Sequence, residues 1–246
     1  MEFVCQLDRM EIIEFTGLAR SGHHAMMNWF FKNMVDFEYH NEWQVTVFGD
    51  CGWTHWNDST IFYEQCLNVM DTLNKPNILS ISYDNEFWDY SHINHSNSPF
   101  NRGVFKGWEY TRTHKILFIR DFYNNLVSRI NMFHNRNEPR AFYDEKFLEI
   151  WKNHAKACLE GKVNFIKYED WLQNKDKRVE LLDKFNVTER FDNTQVSGTH
   201  SSFGDSKNYL NRFDANLIPQ HIKEIITKDN ELHYLIGKMG YDYKEI

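Results

Sequence analysis

Gly17 and Gly22 frame a short turn in the stretch GLARSGHHAMMNWFF (17–31), after an apolar run and before a helical pattern. A turn between a strand and a helix N-terminus presents backbone N–H groups and the positive end of the helix dipole, so it can hold an anion such as phosphate or sulfate. Glycine-bearing turns of this kind also arise for steric reasons alone. Loops that cleave ATP or GTP follow the second glycine with a Lys for the terminal phosphates and a Ser or Thr for magnesium. His23 and His24 occupy those positions here. The loop's cation is Arg20, whose guanidinium meets a negatively charged oxygen with a fixed fork of donors. A second candidate lies in KILFIRDFYNNLVSRINMF (115–133). Arg120 ends an apolar run, and Asp121 can cap the helix that follows. Ser128 falls about two helical turns beyond that cap, on nearly the same face. Arg120 and Ser128 can therefore converge on one phosphate.

Such groups need a scaffold that carries them to one edge. The run EIIEFTGL (11–18) is β-branched and aromatic and stops at a turn, which predicts a strand. Behind it Ala25, Met26, Trp29, Phe30 and Met34 share one helical face. The compact apolar runs NILSISY (77–83), KILFIR (115–120) and VNFIKY (163–168) suit parallel strands covered on both faces. Helical patterns at about 59–73, 121–134, 141–160 and 175–185 separate or follow them. The alternation predicts an α/β fold with a central parallel sheet and helices on both faces; the phosphate-loop outline at Gly17 to Gly22 makes the expected fold one of the P-loop-containing nucleotide-binding type. Residues 84–112 and 192–216 break the alternation and read as irregular binding loops, which in an open parallel sheet gather beyond the carboxyl ends of the strands.

Bulk composition limits the function classes. A chain of 246 residues, 41% hydrophobic and without a low-complexity linker or repeat, predicts one domain over 1–246. The balance of 28 basic against 35 acidic residues, net −7, argues against a general nucleic-acid surface while allowing a local basic pocket. Cys5, Cys51, Cys66 and Cys158 are too scattered for a zinc site or a disulfide scaffold, so they read as reduced thiols. With no signal-like run and no apolar stretch near the length of a membrane span, the expected location is cytoplasmic, with no membrane partner.

Other features read more plainly. His92 and His95 in HINH have metal-like spacing but no evident third ligand. Trp53, Trp56, Phe62, Tyr63, Phe87, Trp88 and Tyr90 concentrate around the second predicted strand. Individually they are packing residues, and as a group they could line an acceptor pocket. Lys106 and Arg112 read as solvated charge. Tyr168, Glu169 and Asp170 read as organisers of the sheet edge, and the C-terminal segment from Pro219 as a helical packing element.

Taken in order, these segments resemble the sulfotransferases that use 3′-phosphoadenosine 5′-phosphosulfate (PAPS). RSGHH (20–24) is similar to that family's Lys/Arg-Ser-Gly-x-x loop for the 5′-phosphosulfate. Arg120 with Ser128 fits its pairing of a strand-ending Arg and a Ser eight residues on, which holds the 3′-phosphate. FIKYEDWL (165–172) resembles its Tyr-Glu-Asp segment, and GTHSSFGDSKN (198–208) its late loop over the nucleotide. The resemblance spans residues 11 to about 213. It implies cofactor contacts from Arg20, Ser21, Gly22, His23, His24, Arg120, Ser128, Ser201 and Ser202, and no bound metal. The late loop departs from the family's Arg-Lys-Gly triplet, with Thr199, His200 and Ser201 in its place; Ser201 and Ser202, with Lys207 or Arg212, are the expected substitutes.

The implied reaction moves a sulfuryl group to a hydroxyl or amine of a small molecule or sugar. Arg20 would act as an electrostatic clamp on the leaving oxygen, since a guanidinium does not release a proton near neutrality. Asp84, at the end of the second predicted strand, is the first candidate for the base, with Glu86 and His24 as rivals. A kinase on the same scaffold would need magnesium-dependent ATP turnover, and Asp84 and Asp121 stand where its carboxylates would. A catalytically silent protein would bind 3′,5′-adenosine bisphosphate without transfer.

Overall fold

The computed structural model describes residues 9–34, 45–49, 78–84, 87–89, 109–135, 145–192, 210 and 213–246. Its strands are β1 (Arg9–Gly17), β2 (Val45–Gly49), β3 (Ile78–Asp84), β4 (Glu109–Ile119) and β5 (Asn164–Lys167). They form one five-stranded sheet in the order β2-β3-β1-β4-β5, with every pairing parallel. The described helices are α1 (His23–Met34), α2 (Phe122–Asn135), α3 (Glu145–Leu159), α4 (Tyr168–Gln173), α5 (Lys175–Asp183), α6 (Gln220–Lys228) and α7 (Asn230–Lys238).

The period-2 alternation of strand side chains divides the core into two layers. Ile13, Phe15, Ile116, Phe118 and Ile166 pack with Met26, Trp29 and Phe30 of α1, Trp171 of α4 and Leu181 of α5. The Phe15 ring stacks on Phe118 at 5.5 Å and meets Phe30 edge-on at 5.6 Å. On the other face Leu117 and Ile119 pack with α2, α3, α6 and α7. Each fully buried large apolar side chain of these layers contributes about 1.5–3 kcal/mol. This is the α/β architecture the alternation predicts.

The order of the strands decides where a ligand can sit. From β1 the chain leaves toward β2, and from its neighbour β4 it leaves in the opposite direction toward β5. Adjacent strands whose connections diverge open a crevice at their carboxyl ends. Arg20 follows one of these strands and Arg120 the other.

Three boundaries differ from the sequence reading. The edge strand β2 was not anticipated, because its run VTVFG is too short to show a period; its pairing along β3, from Val45↔Ile78 to Gly49↔Ser82, makes it a strand. Strand β4 begins at Glu109, so residues 109–112 are not irregular: they pair beside the start of β1, where Arg9 lies opposite Glu109. Their polar composition hides a strand that tertiary pairing supports. The C-terminal segment is two helices rather than one. Pro219 is the N-cap of α6, and Asp229 interrupts the path to cap α7, its carboxylate accepting from Leu232 N at 2.8 Å. The pattern at 59–73 lies outside the described residues.

Candidate functional site

The loop after β1 takes its shape from two left-handed residues, Arg20 at φ 71° and Gly22 at φ 86°. Ser21 N–H closes a tight turn onto Leu18 O at 2.9 Å, and Ala25 and Met26 N–H both donate to Gly22 O at 3.1 Å, starting α1. A left-handed Arg costs about 1–2 kcal/mol and persists only where its surroundings over-determine it, as happens at ligand clamps. Gly22 is required twice over. A Cβ there would stand 2.3 Å from Tyr168 Cε2, so the ring of the first α4 residue forms the floor of the loop. The Ser21 hydroxyl is fully buried and has no hydrogen-bond partner among the described residues. A buried hydroxyl in that state costs free energy that an anionic oxygen at the loop would recover.

The crevice joins the two arginines directly. Arg20 Nε donates to Ser128 Oγ at 3.4 Å, a long contact that a charged oxygen readily replaces. Arg120 Nη1 donates to the main-chain oxygen of Arg20 at 3.1 Å, and its guanidinium carbon lies 4.6 Å from the centroid of the Tyr168 ring. Helix α2 and the residue before it bury polar side chains: Asp121, Asn124, Asn125 and Ser128 are each 6% exposed or less. Asp121 is the cap the sequence predicts, accepting from Asn124 N at 2.8 Å. Asn124 Nδ2 also donates to Leu210 O at 2.9 Å, which ties the end of the late segment to this helix.

Two carboxylates, Asp121 and Glu169, and two phenols, Tyr168 and Tyr241, act on the charge of Arg120. Burial pulls its guanidinium below the usual range, opposed by Tyr168, Glu169, Asp121 and Tyr241. Burial pushes the Asp121 carboxyl up, opposed by the Asn124 N–H, Lys244 and Arg120 and reinforced by Asp242. Glu169 is pushed up by the same cause, opposed chiefly by main-chain N–H groups and Arg120. A dianionic ligand would restore a favourable field for the arginines.

Arg20, Ser21, Gly22, Arg120 and Ser128 are thus brought together. Asp84 is the last residue of β3 and pairs in register with Gly17, so its backbone stands at the loop's edge. His23 and His24 open α1. Ser201, Ser202, Lys207, Arg212, Glu86, Lys106, the HINH histidines, Cys5, Cys51, Cys66, Trp53, Trp56, Phe62, Tyr63 and Tyr90 lie outside the described residues. Cys158 is buried, and burial pushes its thiol up, as for an inert core cysteine. Among the described residues no three His, Cys, Asp or Glu side chains gather as a metal site, and no helix is long and apolar enough to cross a membrane.

Sequence reasoning undervalued Tyr168 and Glu169, which touch the site, and missed Tyr241 altogether. Glu169 Oε1 accepts from Asp121 N at 3.2 Å and Oε2 accepts from Tyr241 OH at 3.1 Å. A local signal for Tyr241 exists in Gly240, left-handed at φ 75°, which ends α7 with Tyr241 N–H donating to Ile236 O at 3.0 Å and turns the tail back.

No protein-family model matches the chain, and no curated protein does. Among solved structures, the chain is similar to a sulfotransferase domain from the curacin biosynthetic pathway, with 12% identity, a TM-score of 0.45, and coverage of 96% of this chain and 100% of that one. At such distance function has to be read from the site's own geometry.

Proposed function

We propose that this protein transfers a sulfuryl group from PAPS to a hydroxyl or amine of a small-molecule or carbohydrate acceptor. One observation carries the reading: Arg20, Ser128 and Arg120 converge at the β1/β4 crevice, joined by contacts of 3.4 and 3.1 Å. The residues present fit the donor. The loop's left-handed Gly22, the buried Ser21 hydroxyl and the start of α1 at His23 and His24 suit its 5′-phosphosulfate. Arg120 and Ser128 suit its 3′-phosphate, and Ser201 and Ser202 are the further contacts that the resemblance implies.

When bound, PAPS supplies an activated sulfuryl group on a leaving phosphate. Arg20 neutralises charge that gathers on the leaving oxygen, acting as a fixed cation in a site partly closed to water. Asp84, at the edge of β3, takes the acceptor's proton, with Glu86 and His24 as the alternatives. The protein works in the cytoplasm without a bound metal in this reading.

Thermal denaturation with 3′,5′-adenosine bisphosphate, ADP and ATP with magnesium tests the reading. At about one hundred times Kd a ligand adds about 2.7 kcal/mol, or roughly 5–10 °C for a chain of this size. Selective stabilisation by the 3′-phosphorylated nucleotide is expected, followed by sulfate transfer in an acceptor screen. Equal or greater stabilisation by ATP with magnesium would overturn it.

A further inference from the structure

The peptide that joins Arg120 to Asp121 is gripped on both sides. Its carbonyl accepts from Trp151 Nε1 of α3 at 3.0 Å, and its N–H donates to Glu169 Oε1 of α4 at 3.2 Å. The second Glu169 oxygen accepts from Tyr241 OH at 3.1 Å, so the hold on this peptide extends into the C-terminal tail. That tail is itself anchored near the sheet edge. Lys167 Nζ, at the end of β5, donates to Met239 O at 3.0 Å and lies 5.3 Å from the centroid of the Tyr241 ring.

We infer that Glu169 and Tyr241 are positioning residues for Arg120, through which the C-terminal tail sets the affinity of the crevice for the phosphate group Arg120 meets. This rests on the nucleotide reading above. Arg120 is a long side chain rooted one residue beyond the end of β4, and a small rotation of the main chain there displaces the guanidinium by far more than it displaces the main chain itself. Tyr168 supports the guanidinium from below, and Arg20 O fixes one of its N–H groups. Neither contact holds the main chain; Trp151 and Glu169 do. Tyr241 in turn orients the Glu169 carboxylate, so removal of one phenolic oxygen frees Glu169 to rotate away from Asp121 N–H. Groups placed one shell behind a binding residue commonly tune affinity in this way.

The variant Tyr241→Phe removes the hydroxyl and keeps the ring against Lys167. Titration calorimetry of the full-length protein with 3′,5′-adenosine bisphosphate and with 5′-AMP separates positioning from general damage. The bisphosphate is expected to bind roughly 3- to 10-fold more weakly to the variant, while 5′-AMP, which lacks the phosphate assigned to Arg120, changes by less than about twofold. Glu169→Ala is expected to show a larger loss with the same selectivity; should it not fold, Tyr241→Phe decides by itself. Equal weakening of both ligands, or unchanged binding of both, would overturn the inference. A wild-type protein with no preference for the 3′-phosphorylated ligand would instead overturn the nucleotide reading, a result distinguishable from failure of the positioning role alone.

Discussion

Replacing Gly22 with Ala tests the loop at its tightest point. The added Cβ would stand 2.3 and 2.4 Å from Tyr168 Cε2 and Cδ2, far inside contact distance, and the ring cannot retreat freely because it lies under Arg120 and beside Trp171 at 5.8 Å. Overpacking of this kind costs about 1–3 kcal/mol. The left-handed φ of 86° adds about 1–2 kcal/mol for a residue with a Cβ. A reduced entropy of the unfolded chain returns about 0.4–1 kcal/mol. The net loss is about 2–4 kcal/mol, or roughly 5–15 °C in Tm for a chain of this length. Urea unfolding of Gly22→Ala, Tyr168→Ala and the double variant apportions it. In the Tyr168→Ala background the cost of Gly22→Ala should fall to about 1 kcal/mol, the part belonging to the backbone, giving a coupling of about 1–3 kcal/mol. A cost below about 0.5 kcal/mol in the wild type, or no coupling to Tyr168, would refute the account of the loop floor.

Arg20→Ala is expected to abolish sulfate transfer while 3′,5′-adenosine bisphosphate still binds within a few-fold of wild type; full turnover in that variant, measured with any accepted substrate, would remove Arg20 from the chemistry. Away from the crevice, Glu189→Ala leaves Arg178 buried without the carboxylate that holds its Nε at 2.5 Å and deprives Trp29 Nε1 of its acceptor at 3.3 Å. With the paired side chains only 7% and 4% exposed, urea unfolding should show a loss of about 3–5 kcal/mol, and a loss under about 1 kcal/mol would mean that the pair is solvated. Burial raises the Glu169 carboxyl above its ordinary 4.5, so the folded state binds that proton more tightly than the unfolded chain does. Stability should therefore rise, relative to Glu169→Gln, as the pH is lowered from neutrality toward 4.5, and parallel unfolding curves for the two proteins across that range would contradict the shift.

Much of the fold was legible because local pattern and tertiary role agree along the buried strands. The runs ending at Gly17, Tyr83, Arg120 and Tyr168 are compact and largely apolar, as suits strands of a covered parallel sheet, and all four are strands whose carboxyl ends fall within one residue of the end of the run. Strand β2 and residues 109–112 of β4 escaped because they have no pattern of their own and become strand by pairing with β3 and β1. The candidate site was legible in part for the same reason. Arg20, Gly22, Arg120 and Ser128 are marked by local spacing around strand ends, which places them at the sheet's carboxyl edge without any knowledge of contacts.

Composition and periodicity alone determined the class of the fold, the edge at which chemistry gathers and the types of residue available there, since these follow from which side chains must leave water and at what interval. Tertiary structure alone decided that β1 and β4 are neighbours, that Arg120 reaches the loop of Arg20, and that Tyr241 arrives at Glu169 from 72 residues away. Contacts of that span depend on strand order and on the path of the returning tail, and no short window of sequence carries either.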